Sequence, residues 1–130
     1  MNTAHQELRL SLLAGRMSVC RLDPASEVPD WAVTGEFFSV TRSADELSVV
    51  CPEGDVPRGV RREGGWRILK LEGPFEFSEV GVLASLPVPL DEAGVGIFAA
   101  STFDTDYVLV KEEQLGSAGA ALRGRGHEVL

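Results

Sequence analysis

Histidine and cysteine are scarce in this 130-residue chain, two of each, and they are scattered. His5 and His127 stand near opposite ends, and Cys20 and Cys51 have neither a Cys-x-x-Cys partner nor a nearby histidine. That spacing excludes the usual metal centres, and no metal is expected. Both cysteines fall in apolar, strand-like runs, which predicts buried free thiols. Cations are short as well: 12 Lys and Arg face 20 Asp and Glu, a formal charge of −8. Binding a phosphate backbone needs clustered Lys and Arg, so no nucleic-acid partner is expected. The short basic runs Arg58 to Arg62 and Arg123 to Arg125 are broken by glycine and read as solvated loop or helix-end charge. No apolar run approaches the roughly 20 residues that cross a bilayer. The opening MNTAHQELRL lacks the basic-then-apolar order of a secretory signal. A cytoplasmic protein without a membrane partner is expected.

Motifs for catalysis are missing too. There is no Gly-x-Ser-x-Gly, no phosphate-binding P-loop and no dinucleotide fingerprint, and the glycines of LEGPFEFSEVG have the wrong spacing for a phosphate loop. Neither a catalytic residue nor a cofactor is proposed by the sequence. What is present is an ordinary globular composition, 44% apolar and 25% charged, in a length that fits one domain or two small subdomains sharing a core.

The chain also repeats itself. Displaced by 60 residues, FFSVTRSADELSVVCPEGDV from Phe37 aligns without a gap beneath IFAASTFDTDYVLVKEEQLG from Ile97. Phe38 meets Phe98, Glu46 meets Asp106, Val49 meets Leu109 and Val50 meets Val110. Upstream, MSVCRLD resembles WRILKLE at an offset of 49, so the second copy has 11 more residues before its hairpin. Such an insertion makes about three turns of helix. The first copy has PASEVPDW there, too short and proline-rich for a helix.

Strands are expected at Leu8 to Leu13, Met17 to Leu22 and Trp66 to Glu72, with hairpins at Phe37 to Cys51 and Val95 to Val110. Pro52 to Gly65 reads as loop, with Gly64–Gly65 marking the junction between copies. Ser78 is placed to cap a helix from Glu79 to about Ala93, ended by Gly94 and broken near Leu86 by Pro87 and Pro89. A last helix runs from Glu112 to about Arg123, with Leu115, Ala118 and Leu122 on its apolar face, and His127 to Leu130 closes as a strand. The second copy is therefore β-α-β-β-α-β, an α+β ferredoxin-like arrangement, and the first is a version with reduced helices. The expected division is 1–64 and 65–130. The near-continuous apolarity of Val95 to Ala100 and Tyr107 to Val110 implies sheet burial on both faces.

One juxtaposition in this fold has chemical content. The helix start, Ser78 to Val82, would offer unpaired N–H groups to a carboxylate, and Gly81 lets a ligand approach the backbone. Glu79 and Asp106 would hold an ammonium or guanidinium, Thr102 adds a hydroxyl and Phe103 an apolar wall. Half-sites of both signs suit a zwitterionic amino acid. The same residues also have plain structural readings: Asp104 and Thr105 are ordinary turn residues, and Glu79 suits a first helical turn.

The segments FFSVTRSADELSVVC, GWRILKLEGPFEFSEVGVLASL and GIFAASTFDTDYVLV together resemble small bacterial tandem ACT-domain proteins. These are related to the regulatory regions of aspartate kinases and to the CASTOR arginine sensors. The resemblance implies tandem ACT domains, no catalysis, and amino-acid sensing through a homodimer that acts on a regulated enzyme partner. By motif, it implies ligand contacts at Glu79, Val80, Gly81 and Val82, at Thr102 and Phe103, and at Asp106. The same resemblance admits an alternative, an ACT-type dimerisation or interaction module that takes no small molecule.

Overall fold

The computed structural model describes residues 7–72 and 87–130. The expected helix start, with Ser78, Glu79, Val80, Gly81 and Val82, lies outside the described residues. Among these residues there are eight strands: β1 Arg9–Leu12, β2 Met17–Leu22, β3 Ser39–Arg42, β4 Leu47–Pro52, β5 Arg61–Leu71, β6 Ile97–Ser101, β7 Asp106–Lys111 and β8 Glu128–Val129. Two α-helices accompany them among the described residues, α1 Pro87–Glu92 and α2 Leu115–Gly124. By contacts the chain forms two compact units, Gly15–Trp66 and the described part of Met1–Ala14 together with Arg67–Leu130.

In the unit formed by Gly15–Trp66 the strand order is β3-β4-β2-β5, every neighbour antiparallel. Alternation along the strands turns Cys20, Leu47, Val49 and Cys51 to one face, where Ala32 and the partly buried Leu22, Trp31 and Val40 pack on them. Trp31 and Ala32 come from a 3-10 turn, Asp30–Ala32, and a second such turn spans Glu53–Asp55. The prolines of PASEVPDW permit a single turn where the second copy has room for a helix. This is the reduced copy that the sequence implies.

The region expected to be a loop up to Gly65 is corrected here, because β5 already begins at Arg61 and carries Gly64 and Gly65 inside it. The glycines encode a bulge. Pairing of β2 with β5 shifts by one residue between Met17 opposite Trp66 and Val19 opposite Glu63. Gly65 takes φ +80° there, a conformation that costs other L-residues about 1–2 kcal/mol. Its N–H donates to Glu53 Oε1 at 2.6 Å, and Arg16 pairs with the same carboxylate at 3.4 Å.

The other unit has the order β6-β7-β5-β1-β8. A plain βαββαβ sheet would set the last strand directly beside β5. Here β1 is inserted between them, antiparallel to β5 (Leu10 opposite Leu71) and parallel to β8 (Leu10 opposite Val129). By contacts, then, the first residues of the chain group with Arg67–Leu130, which differs from the expected split at 64 and 65. The reason is that, among the described residues, β1 pairs with β5 and β8.

Its core joins Leu8, Leu10, Leu69, Leu71, Val108 and Val110 to Leu90 of α1, Val95, and Ala118 and Leu122 of α2. Each such fully buried Leu contributes about 1.5–3 kcal/mol. Residues Glu112–Gln114 form a 3-10 turn, so the last α-helix proper starts three residues later than expected.

The break expected near Leu86 lies outside the described residues, within which helix α1 spans Pro87–Glu92. It closes as expected on Gly94, at φ +76°, with Val95 N–H donating to Leu90 O at 2.9 Å. Burial on both faces holds for β7, where Val108, Leu109 and Val110 are all buried. It fails for β6, where Ile97, Ala99 and Ser101, on one face of the strand, are exposed.

Candidate functional site

The two hairpins end in tips of one design. Arg42 and Leu47 close the first, and Ser101 and Asp106 close the second, leaving four residues in each tip. Corresponding tip positions are thus 59 residues apart, one fewer than the gap-free sequence alignment suggests. Ser43 and Thr102 fall on the same place. Each donates its backbone N–H to the carbonyl three residues on, Glu46 at 2.9 Å and Thr105 at 2.8 Å. Each hydroxyl then accepts from a tip N–H, that of Glu46 at 3.2 Å and that of Thr105 at 3.3 Å. This is the turn chemistry that favours Ser and Thr at such positions.

Thr105 makes the second tip different. Its hydroxyl, buried, donates to Leu71 O at 2.7 Å and so fastens the tip to the last residue of β5. In sequence, Glu79 to Val82 follow the end of β5 and lie outside the described residues. Asp106 follows at the start of β7, half-buried, on the same strand face as the core residues Val108 and Val110. Ser101 Oγ donates to its Oδ1 across the closing pair. Phe103 stands at the tip with 78% of its surface exposed.

Of the expected ligand residues, Thr102, Phe103 and Asp106 are therefore brought within one five-residue stretch. Thr102 Oγ1 lies 3.2 Å from Thr105 O and so serves the turn itself. Sequence reasoning missed Ser101 and Thr105, the two hydroxyls that fix Asp106 and the tip. A threonine in a turn carries no signal of the distant carbonyl it will reach.

The expected thiols are as read: Cys20 and Cys51 are free and buried. Burial pushes Cys51 up to about 12, with Cys20 adding to the shift, and burial also raises Cys20. Among the described residues no group of three or more His, Cys, Asp or Glu is placed to hold a metal. Among the described residues, too, no helix is long and apolar enough to cross a membrane.

Against known proteins this architecture has clear counterparts. A family model of the ACT domain matches residues 61–124, and a family model of an N-terminal domain matches residues 15–59. Residues 61–124 are thus an ACT domain, and the chain has the α+β ferredoxin-like fold. An Agrobacterium tumefaciens protein of known X-ray structure is 40% identical, with a TM-score of 0.92 over 97% of this chain and 94% of that one. The ligand-free regulatory subunit of aspartate kinase from Thermus thermophilus shares the fold, at TM-score 0.60 and 11% identity, over 89% of this chain and 96% of its own. Human cytosolic arginine sensor for mTORC1 subunit 1 is 36% identical over 61 residues, 46% of this chain. That match spans only 18% of the sensor's length.

Proposed function

We propose that this chain is a non-catalytic, cytoplasmic regulatory protein that binds a small amino acid where ACT units meet in a homodimer. Asp106 takes the ligand's cationic group, Thr102 and Phe103 shape the pocket, and Glu79 to Val82 supply a second carboxylate and backbone N–H groups. The observation that carries this reading is the Thr105 to Leu71 hydrogen bond, which holds the acidic tip beside the strand end that leads into residues 79–82. The ligand-sensing name of the arginine sensor supports the same class of ligand. Output passes to an enzyme partner, since the site offers recognition groups rather than a nucleophile with its base.

The test is calorimetric titration with the twenty amino acids, followed by Asp106→Asn and Phe103→Ala. One amino acid should bind, and each substitution should weaken it about tenfold or more, a loss of about 1.4 kcal/mol. A saturating ligand at about 100 times Kd should add about 2.7 kcal/mol to stability. Absence of binding by all twenty at millimolar concentration removes the proposal.

A second reading, a dimerisation module without a ligand, is favoured by the side of β6 left unpaired among the described residues and by its exposed Ile97, which lines one hollow with the exposed Val88. It predicts a dimer whose stability no amino acid changes.

A further inference from the structure

In the Gly15–Trp66 unit, the sheet face opposite the cysteine-containing core carries a line of polar side chains that the amino-acid reading leaves unused. Alternation sends Thr41, Ser48, Arg21 and Arg61 outward when Val40, Leu47, Val49 and Cys20 turn inward. Register then places these four side by side. Thr41 is opposite Ser48, Ser48 opposite Arg21, and Arg21 opposite Arg61, one from each of β3, β4, β2 and β5. Neighbouring strands are about 4.8 Å apart, so the row is about 14 Å long. Thr41, Arg21 and Arg61 are exposed and Ser48 is half-buried.

The two arginines are the anomaly. Like charges set directly opposite on adjacent strands destabilise a sheet, and this chain has 20 acidic residues to place against 12 basic ones. Of the other arginines, Arg9, Arg16, Arg67 and Arg125 each face a glutamate and Arg42 and Arg62 hold loop carbonyls, while Arg58 and Arg123 stand apart from any like charge paired across strands. Arg21 and Arg61 make no ion pair among the described residues. Arg21 gives one N–H to Asp45 O at 2.9 Å, which fixes its guanidinium without neutralising it. Two guanidinium forks followed by two hydroxyls form a line of donors suited to oxyanions.

We infer that the Arg61–Arg21–Ser48–Thr41 row binds a small molecule bearing at least two oxyanion groups, phosphate or carboxylate. One anionic group lies between the guanidiniums, relieving their repulsion, and the next accepts from Ser48 and Thr41. The inference is independent of the amino-acid site and can fail without it.

Calorimetric titration at about 0.15 M salt with inorganic tripolyphosphate and, separately, citrate tests it. Submillimolar binding of at least one, weakened tenfold or more by Arg21→Gln and by Arg61→Gln but unchanged by Arg123→Gln, is the expected result. The tighter of the two anions names the source, phosphate or carboxylate. Thermal melting without ligand should leave Arg61→Gln at or above the parent, because a repulsive pair has been removed. Binding of neither anion, full affinity in the double variant Arg21→Gln/Arg61→Gln, or a melting temperature several degrees lower in Arg61→Gln overturns the inference.

Discussion

At the scale of single residues, Thr105 carries more than its place in a turn suggests. Its hydroxyl satisfies a strand-end carbonyl in a buried setting, and leaving such a carbonyl unpaired costs about 1–3 kcal/mol. Thr105→Val keeps the shape and removes only the donor. We expect a loss of about 1–2 kcal/mol in urea unfolding, together with weaker amino-acid binding because the tip is no longer tied to β5. Stability lost without any change in binding would separate the two roles. Cys51 offers a test by pH. Its thiol, ordinarily near 9.0, is held up to about 12 by burial, so the folded chain keeps a proton that the unfolded chain releases above pH 9. Stability from this group is therefore complete below about pH 9 and is lost as pH climbs from there towards 12. Cys51→Val should flatten that alkaline decline in melting temperature, and Cys51 should stay unlabelled by thiol reagents near pH 8 until the protein unfolds. The burial of both cysteines was legible from their apolar neighbours. The reach of Thr105 to Leu71 was not, because a contact 34 residues distant depends on how two strands pack.

At the scale of elements, apolar patterning placed strands and helices well. Strands β2 and β4 fall where their apolar runs put them, and Ala118 and Leu122 of α2 are buried as their spacing requires. It misled where glycine was taken as punctuation. Gly64–Gly65 looks like a linker, yet the pair sits inside the longest strand, because a bulge needs the same backbone freedom as a turn. Gly65→Ala should therefore destabilise by about 1–2 kcal/mol, since φ is +80° and the new Cβ would lie 3.3 Å from Arg16 Nη2. A linker glycine would tolerate the change, so urea denaturation of this one variant distinguishes the two readings. The break expected near Leu86 from Pro87 and Pro89 lies outside the described residues, which resume with α1 at Pro87. The repeat likewise needed geometry to refine it: hydrophobic matching finds the two hairpins, but only strand pairing shows that their tips correspond at 59 residues. Of the candidate site, Thr102, Phe103 and Asp106 were legible as a polar tip on an apolar hairpin, whereas the hydroxyls that hold them were not.

At the scale of the whole molecule, the least local feature is β1, which belongs to strands that lie far from it in sequence. It is bonded on both edges: Leu13 N–H donates to Ile68 O and Glu72 N–H to Arg9 O on one side, and Glu128 N–H donates to Leu8 O and Leu130 N–H to Leu10 O on the other. Leu8 N–H, in addition, donates to the buried His127 Nδ1 at 3.1 Å, which places the imidazole proton on Nε2. Leu8 and Leu10 are both buried in the core of Arg67–Leu130. Burial of the two leucines contributes about 3–6 kcal/mol on the usual scale, before the hydrogen bonds are counted, against a typical domain stability of about 5–15 kcal/mol. A chain shortened to begin at Gly15 keeps every strand of the Gly15–Trp66 unit and removes the element between β5 and β8. In hydrogen exchange we expect the amides of β8 and of Ile68 to Leu71 to lose their protection, while those paired between β2 and β4 keep theirs. A synthetic peptide of residues 1–14 added in trans should restore the lost protection, because the missing strand carries its own pairing groups and its two core leucines. Retained protection throughout the shortened chain would mean that β5 and β8 pair directly, as in an unmodified βαββαβ sheet, and that β1 is an addition to the fold rather than a part of its core.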